Sequence, residues 1–304
     1  MMQIDQYTRM IIVGTILGVF SRLYMLRTDY RYYPTYPHGR VIHIALGVIA
    51  SGLGAVAVPS LLKKDYTAIT FLTLAASQFR EVRNMERQML SNVDQMELVP
   101  RGVTYIEGIA MVFEGRNYLV IFTSFLSSLF TYLLHWWGGI LAGVITIFVL
   151  SRYMSGKTVQ DFAKVREGKL YFKGPYLMVD DIVIMNIGLK DTRERILKHG
   201  IGIVVEPNNP NGRTSFAHLG QRQSILHDVS TILGVYRDSG EPSLVPLAKR
   251  DLETGNVGFF LLPLDKDPKK AIEIIKKSPM LESSLRKPLQ ADVKPDRHMD
   301  PAGR

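Results

Sequence analysis

The 304-residue chain contains no cysteine. That excludes disulfides, thiolate metal sites and a cysteine nucleophile. It also lacks a Gly-x-Ser-x-Gly elbow and a dinucleotide-binding fingerprint. Gly156-Lys157-Thr158 is similar to the end of a phosphate-binding loop. Ser151, however, stands where that pattern needs glycine, and an apolar helix precedes it instead of a strand. Charge is scarce in the first half. Residues 1–154 hold 13 Lys+Arg and 9 Asp+Glu, against 24 and 19 in residues 155–304. The net +9 is therefore shared as +4 and +5, and no clustered basic face with aromatics points to nucleic acid. The histidines at 38, 43, 135, 199, 218, 227 and 298 have no acids at ligand spacing. No metal and no cofactor is expected from them. His227 and Asp228 diverge on a helix, and His227 reads as a surface residue.

What the first half does have is long apolar runs. Val41–Leu62 is 22 residues without a formal charge, enough to cross a hydrocarbon core of roughly 30 Å. Tyr118–Leu150 is 33 uncharged residues with His135 as the sole titratable group. One straight helix of that length would be about 50 Å long, so a break is expected at "HWWGG", 135–139. Tryptophans suit the headgroup interface and glycines allow a tight turn. Met10–Met25 is a weaker span in which Arg22 would have to snorkel. Its rival, a signal peptide, lacks a basic n-region and a cleavage site. "YTAITFLTLAASQF" (66–79) follows Leu62 closely and runs into "REVRNMERQML", so one helix is expected to leave the membrane as an amphipathic stalk. The reading is five spans, about 10–26, 41–62, 66–80, 118–134 and 138–154, with an Arg/Glu-rich segment at 80–117.

Arginines cluster in 22–40 and 80–117. The positive-inside bias then places the N-terminus outside and the second half in the cytoplasm, in a multi-pass cell-membrane protein. Small residues recur every four positions at Gly14/Gly18, Gly47/Ser51/Ala55 and Gly139/Gly143. They imply close helix packing, within one bundle or in a homo-oligomer.

Residues 155–281 read as a small α+β domain, with helices on one sheet. Strands are expected at 169–172, 176–189, 201–206, 244–248 and 257–264. Helices are expected at 191–199, with Asp191 as N-cap, at 217–236, and at 267–280, with Asp267 as N-cap and Pro268 at N1. Residues 207–216 read as a loop, with Glu206 and 208–211 as a weak candidate for a polar pocket. Residues 282–304 read as a disordered tail.

The stretch "TYIEGIAMVFEGRNY" (104–118) carries acids beside an apolar run. A carboxylate at membrane depth must be paired or face water, which makes Glu107 a candidate functional residue. Alternatively, 102–117 is an interfacial helix with solvated acids. Gly102, Gly108 and Gly115 would suit close neighbours. Tyr105, Glu107 and Gly108 are the candidate motif, and Arg80, Glu81, Glu114 and Arg116 the candidate polar cluster. No catalytic set is identified.

Tyr105-Ile106-Glu107-Gly108-Ile109-Ala110 is the hexapeptide that names the YIEGIA family, and the chain resembles that family over nearly its full length. The resemblance implies an endospore-forming Firmicute source and a role in sporulation or spore-envelope assembly. It implies no reaction. The expectation is a non-enzymatic membrane anchor or scaffold among lipids, with protein partners at the spore membrane. The competing expectation is a transporter or enzyme with a polar cavity around Glu107.

Overall fold

The computed structural model describes residues 5–31, 37–154, 156–236 and 245–285. Of the tail expected at 282–304, the residues from 286 onward, including His298, lie outside the described residues, as does the His38 side chain. The start of that tail is ordered instead, with Glu282–Ser284 forming a short 3-10 turn. The chain divides into two compact units. One comprises residues 1–158 with 279–282, and the other 159–278 with the residues from 283 onward.

The first unit is helical. Helix α1 (Gln6–Asp29) starts where the Asp5 carboxylate accepts the Tyr7 N–H. Helix α2 spans Pro37–Leu62, and α3 (Tyr66–Ser77) is capped by Asp65. Helix α4 spans Phe79–Asp94 and α5 Val103–Tyr153. Three stretches are long and apolar enough to cross a membrane: Gln6–Asp29, Gly39–Leu62 and Val103–Arg152. The 12 residues of α3 rise only about 18 Å. Gln78 alone separates α3 from α4, and its backbone stays helical at φ −65°, ψ −18°. The expected continuous stalk is therefore present, with one irregular residue in it.

Small residues set how closely the helices approach. A Cβ on Gly18 would lie 2.7 Å from Ser51 Oγ, and one on Gly14 would lie 2.9 Å from the Ser124 carbonyl oxygen. Ser124 Oγ sits 2.8 Å from Gly14 O and 2.6 Å from Ser51 O. Its single proton serves one of them at a time. α1 thus packs closely against both α2 and α5 through glycine positions and small serine side chains. These small-residue positions are consumed inside one chain.

α5 folds back on itself. Leu134 (φ −129°, ψ 25°) and His135 (φ 58°, ψ −176°) break it into two arms. A Cβ on Gly143 would lie 2.6 Å from Ser127 Oγ, although 16 residues of straight helix would separate these positions by about 24 Å. The reversal falls just before the expected glycines. His135 takes the positive φ, while Gly139 is needed for packing: its Cβ would lie 2.6 Å from Ser127 O. The Trp136 and Trp137 rings stack at 3.8 Å at this end.

The second unit is α+β with two sheets, where the sequence suggested one. Strands β1 (Ala163–Gly168), β5 (Ile201–Pro207), β7 (Val257–Leu261) and β6 (Leu247–Arg250) form a four-stranded antiparallel sheet in that order. Strands β2 (Leu170–Lys173), β3 (Tyr176–Val179) and β4 (Ile182–Asn186) form a meander. The acids Asp180-Asp181 make its second turn, with Asp180 at φ 48°. Leu177, Val179, Ile182 and Ile184 of the meander share a core with Val204, Phe260, Leu262 and Ile196. β5 and β7 are buried along nearly their whole length, as strands covered on both faces must be. α6 (Lys190–His199) begins one residue before the expected cap: Leu189 is the N-cap, and Asp191 lies in the first turn. The expected loop at 207–216 is largely a helix, α7 (Pro210–Ala217), because Asn209 accepts the Gly212 N–H and Pro210 opens the first turn. α8 (Leu219–Leu233) and α9 (Pro268–Lys277) follow, with Asp267 capping α9 as expected. His227 is buried in α8 beside Thr231, not on the surface.

Candidate functional site

The motif stretch opens α5. Asp94, at the end of α4, accepts the backbone N–H groups of Arg101 (2.7 Å) and Gly102 (2.8 Å). Gly102, at φ 83°, lets the chain enter the helix there. The carboxylate fixes the 95–102 connection and so the angle at which α4 meets α5.

One face of the opening turns is apolar. Tyr105, Ile106, Ile109 and Phe113 form a core with Leu90 of α4 and with Leu281. Gly108 is buried on the same side. Leu281 belongs to the helical unit although it follows the whole α+β unit in sequence.

The flank of this face is charged. Glu107 and Glu114 are seven residues apart, so both carboxylates project in nearly the same direction, about 10 Å apart along the axis. Arg83 bridges them. Its Nη2 donates to Glu107 and its Nη1 to Glu114 at 3.0 Å. Arg87 Nη1 adds a 3.6 Å ion pair to Glu107. The hydrogen bonds to Glu114 and then Glu107 raise the Arg83 pKa further above the ordinary arginine value. The group is about 30% exposed, so Glu107 is neither dry nor free. It pairs with arginines of α4.

The expected cluster of Arg80, Glu81, Glu114 and Arg116 does not form. Arg80 and Glu81 are exposed, and Glu81 accepts from Asn84. Glu114 belongs to Arg83. Arg116 points the other way, into the bundle. Its Nε donates to Asp29 at 3.1 Å and its Nη2 to Glu282 at 2.5 Å. Gly115 has nothing close to where a Cβ would stand, so it serves no close neighbour.

A second, buried network lies around Arg116. Arg22 does not snorkel. It is 1% exposed and its Nη1 donates to Asp29 at 3.3 Å. Asp29 thus joins two arginines from two helices, one acid between two cations. Arg22 also lies over the Phe113 ring at 5.2 Å. His43 Nε2 is 3.4 Å from Glu86, both nearly fully buried. His43 also meets Phe113 at 4.9 Å.

Sequence reasoning passed over Asp29, His43, Glu86 and Glu282 as site residues. It also noted Arg83 and Arg87 without choosing them. For Arg83 a signal existed: it follows buried Phe79 by four and precedes buried Leu90 by seven, so it borders the apolar face of α4. For Glu282 there was none, because Arg116 lies 166 residues away. For Asp29 the seven-residue spacing from Arg22 was a local signal, but its second partner, Arg116, lies 87 residues away.

Near the motif, a shallow cleft is lined by Leu90, Val93, Asp94, Arg101, Tyr105, Ile106 and Ile109. Glu107 is not among its walls. Among the described residues, no group of three His, Asp or Glu is placed to hold a metal ion.

The sequence profile described as "YIEGIA protein" matches residues 10–291. The "Uncharacterized protein YphB" of Bacillus subtilis (strain 168) is 54% identical over 286 residues, which covers 94% of this chain and 96% of that protein. No solved structure matches.

Proposed function

This chain belongs to the YIEGIA family, and from that premise we propose that it is a multi-pass membrane anchor acting in sporulation. In this reading it holds its α+β unit at the membrane and gathers protein partners for spore-envelope assembly. Several features support it. Three stretches are long and apolar enough to span a bilayer. Large apolar side chains stand exposed on them, including Ile16, Phe20, Val48, Ile49, Leu141 and Phe148, an arrangement that suits lipid better than water. We read five passes: α1, α2, α3 with the start of α4, and the two arms of α5. The Lys/Arg bias favours an outside N-terminus and a cytoplasmic α+β unit. Spore context rests on the family resemblance.

The observation that carries the non-enzymatic reading is the pairing of Glu107 with Arg83 and Arg87. The motif carboxylate braces α4 against α5 and is not among the walls of the cleft beside the motif. A transporter or enzyme built on Glu107 would need it turned toward a polar space.

Complementation tests this in an endospore former lacking the homologous gene. A Glu107→Gln variant that accumulates to the parental level is expected to restore spore yield. Loss of spores at an undiminished protein level would favour chemistry at Glu107 and sink the anchor reading.

A further inference from the structure

Two arginines of the α+β unit have no ion pair with an acid among the described residues. Arg222 lies in the first turn of α8 and Arg250 ends β6, against which α8 packs. In both, the guanidinium Nε is buried and meets no acceptor among the described residues. Burial first, and then the charge of Arg250, holds the Arg222 pKa below the ordinary arginine value. Two like charges brought together away from water repel, and each loses hydration. An anion between them would reverse both effects.

The nearest carboxylate in sequence is already committed. Asp251 accepts the Thr254 hydroxyl at 2.5 Å and the Thr254 and Glu253 N–H groups at 3.1 and 3.3 Å. It holds the β6–β7 turn, not a guanidinium. Elsewhere in the unit, Arg166 has two carboxylates, Asp180 at 2.6 Å and Glu206 at 2.7 Å. Arg222 and Arg250 differ from it in having no such carboxylate among the described residues. A third arginine, Arg213 of α7, runs along the same turn. A Cβ on Gly255 would lie 2.9 Å from Arg213 Cγ and 3.3 Å from its Nε. Gly255, at φ 78°, leaves that path open.

We propose that Arg222 and Arg250 bind a phosphate group, with Arg213 at the rim. Guanidinium forks match phosphate oxygens in pairs of hydrogen bonds, and a tetrahedral anion offers oxygens to forks arriving from different elements. Free phosphate and a lipid phosphodiester share this chemistry. The site is independent of the role assigned to Glu107.

The test uses the full chain in an uncharged detergent. Its melting temperature is followed against sodium phosphate, with ionic strength held constant by sodium chloride. A parallel titration uses a short-chain phosphatidylglycerol below its micelle concentration. A saturable rise is expected in at least one arm, and the responding arm names the source. Arg222→Gln and Arg250→Gln should each weaken the apparent affinity at least ten-fold, while Arg166→Gln leaves it unchanged. Without ligand, the two variants should melt no lower than the parent, since each removes an unpaired charge. No saturable rise in either arm would overturn the proposal. So would a rise that survives both substitutions.

Discussion

Asp29 is the residue on which most buried charge depends. It is 4% exposed and serves Arg22 and Arg116 together. Neutralising it leaves two arginines in the bundle with one fewer anion. Breaking a buried ion pair from one side costs about 3–5 kcal/mol. Asp29→Asn is therefore expected to lower the thermal stability of the detergent-solubilised protein by an amount in that range. Glu81→Gln, on the exposed side of α4, should change it by less than about 0.5 kcal/mol. At this scale the sequence was a partial guide. Glu107 was singled out because an acid beside an apolar run must be paired or wet. Its partners were left open, and the arginine chosen for the candidate cluster was Arg80, whereas Arg83 and Arg87 make the pairs. Three residues turn a helix by about 300°, so Arg80 stands about 60° around the axis from Arg83, exposed where Arg83 bridges. Arg22 shows the opposite failure. Snorkelling is the default for a lone arginine near a helix end, but Asp29, two turns on in the same helix, holds it inward.

Elements were more legible where capping chemistry was local. Asp267 and the Gly200 helix stop lie where the sequence places them. The pairing of the two sheets was not legible, because alternation along a strand says nothing about which sheet it joins. α7 was missed because its Pro-Asn-Gly opening reads as a turn, whereas Asn209 and Pro210 are also a helix start. The turn between β6 and β7 carries its own titration. Asp251 has its pKa lowered by the hydrogen bond from the Thr254 hydroxyl and by nearby backbone N–H groups. A carboxylate with a depressed folded pKa stabilises above its unfolded value of about 3.9 and loses that contribution as pH falls through the folded value. Asp251→Ala should therefore lower the melting temperature at pH 7. The difference from the parent should shrink as pH falls below about 4, when read by thermal unfolding across pH.

At the scale of the molecule, composition alone separated an apolar first half from a charged second half, and the two compact units follow that division. What composition missed is the return of residues 279–282 to the helical unit, where Leu281 joins the motif core and Glu282 takes Arg116. Long-range contacts of this kind leave no periodic trace. The proposed five-pass topology is open to direct mapping, because the chain has no cysteine of its own. Single cysteines introduced at 64 and 136 should label from outside intact cells. Those at 36, 104 and 200 should label only after the membrane is opened. Labelling of position 200 from outside would reverse the orientation.

The role of the motif carboxylate as a brace between α4 and α5 is tested most directly by a double-mutant cycle on Arg83→Gln and Glu107→Gln, read as unfolding free energy in detergent. The two losses should be non-additive, with a coupling of about 0.5–1 kcal/mol. Each single variant should lose stability. Strictly additive losses, or a Glu107→Gln protein of unchanged stability that nonetheless forms no spores, would contradict it.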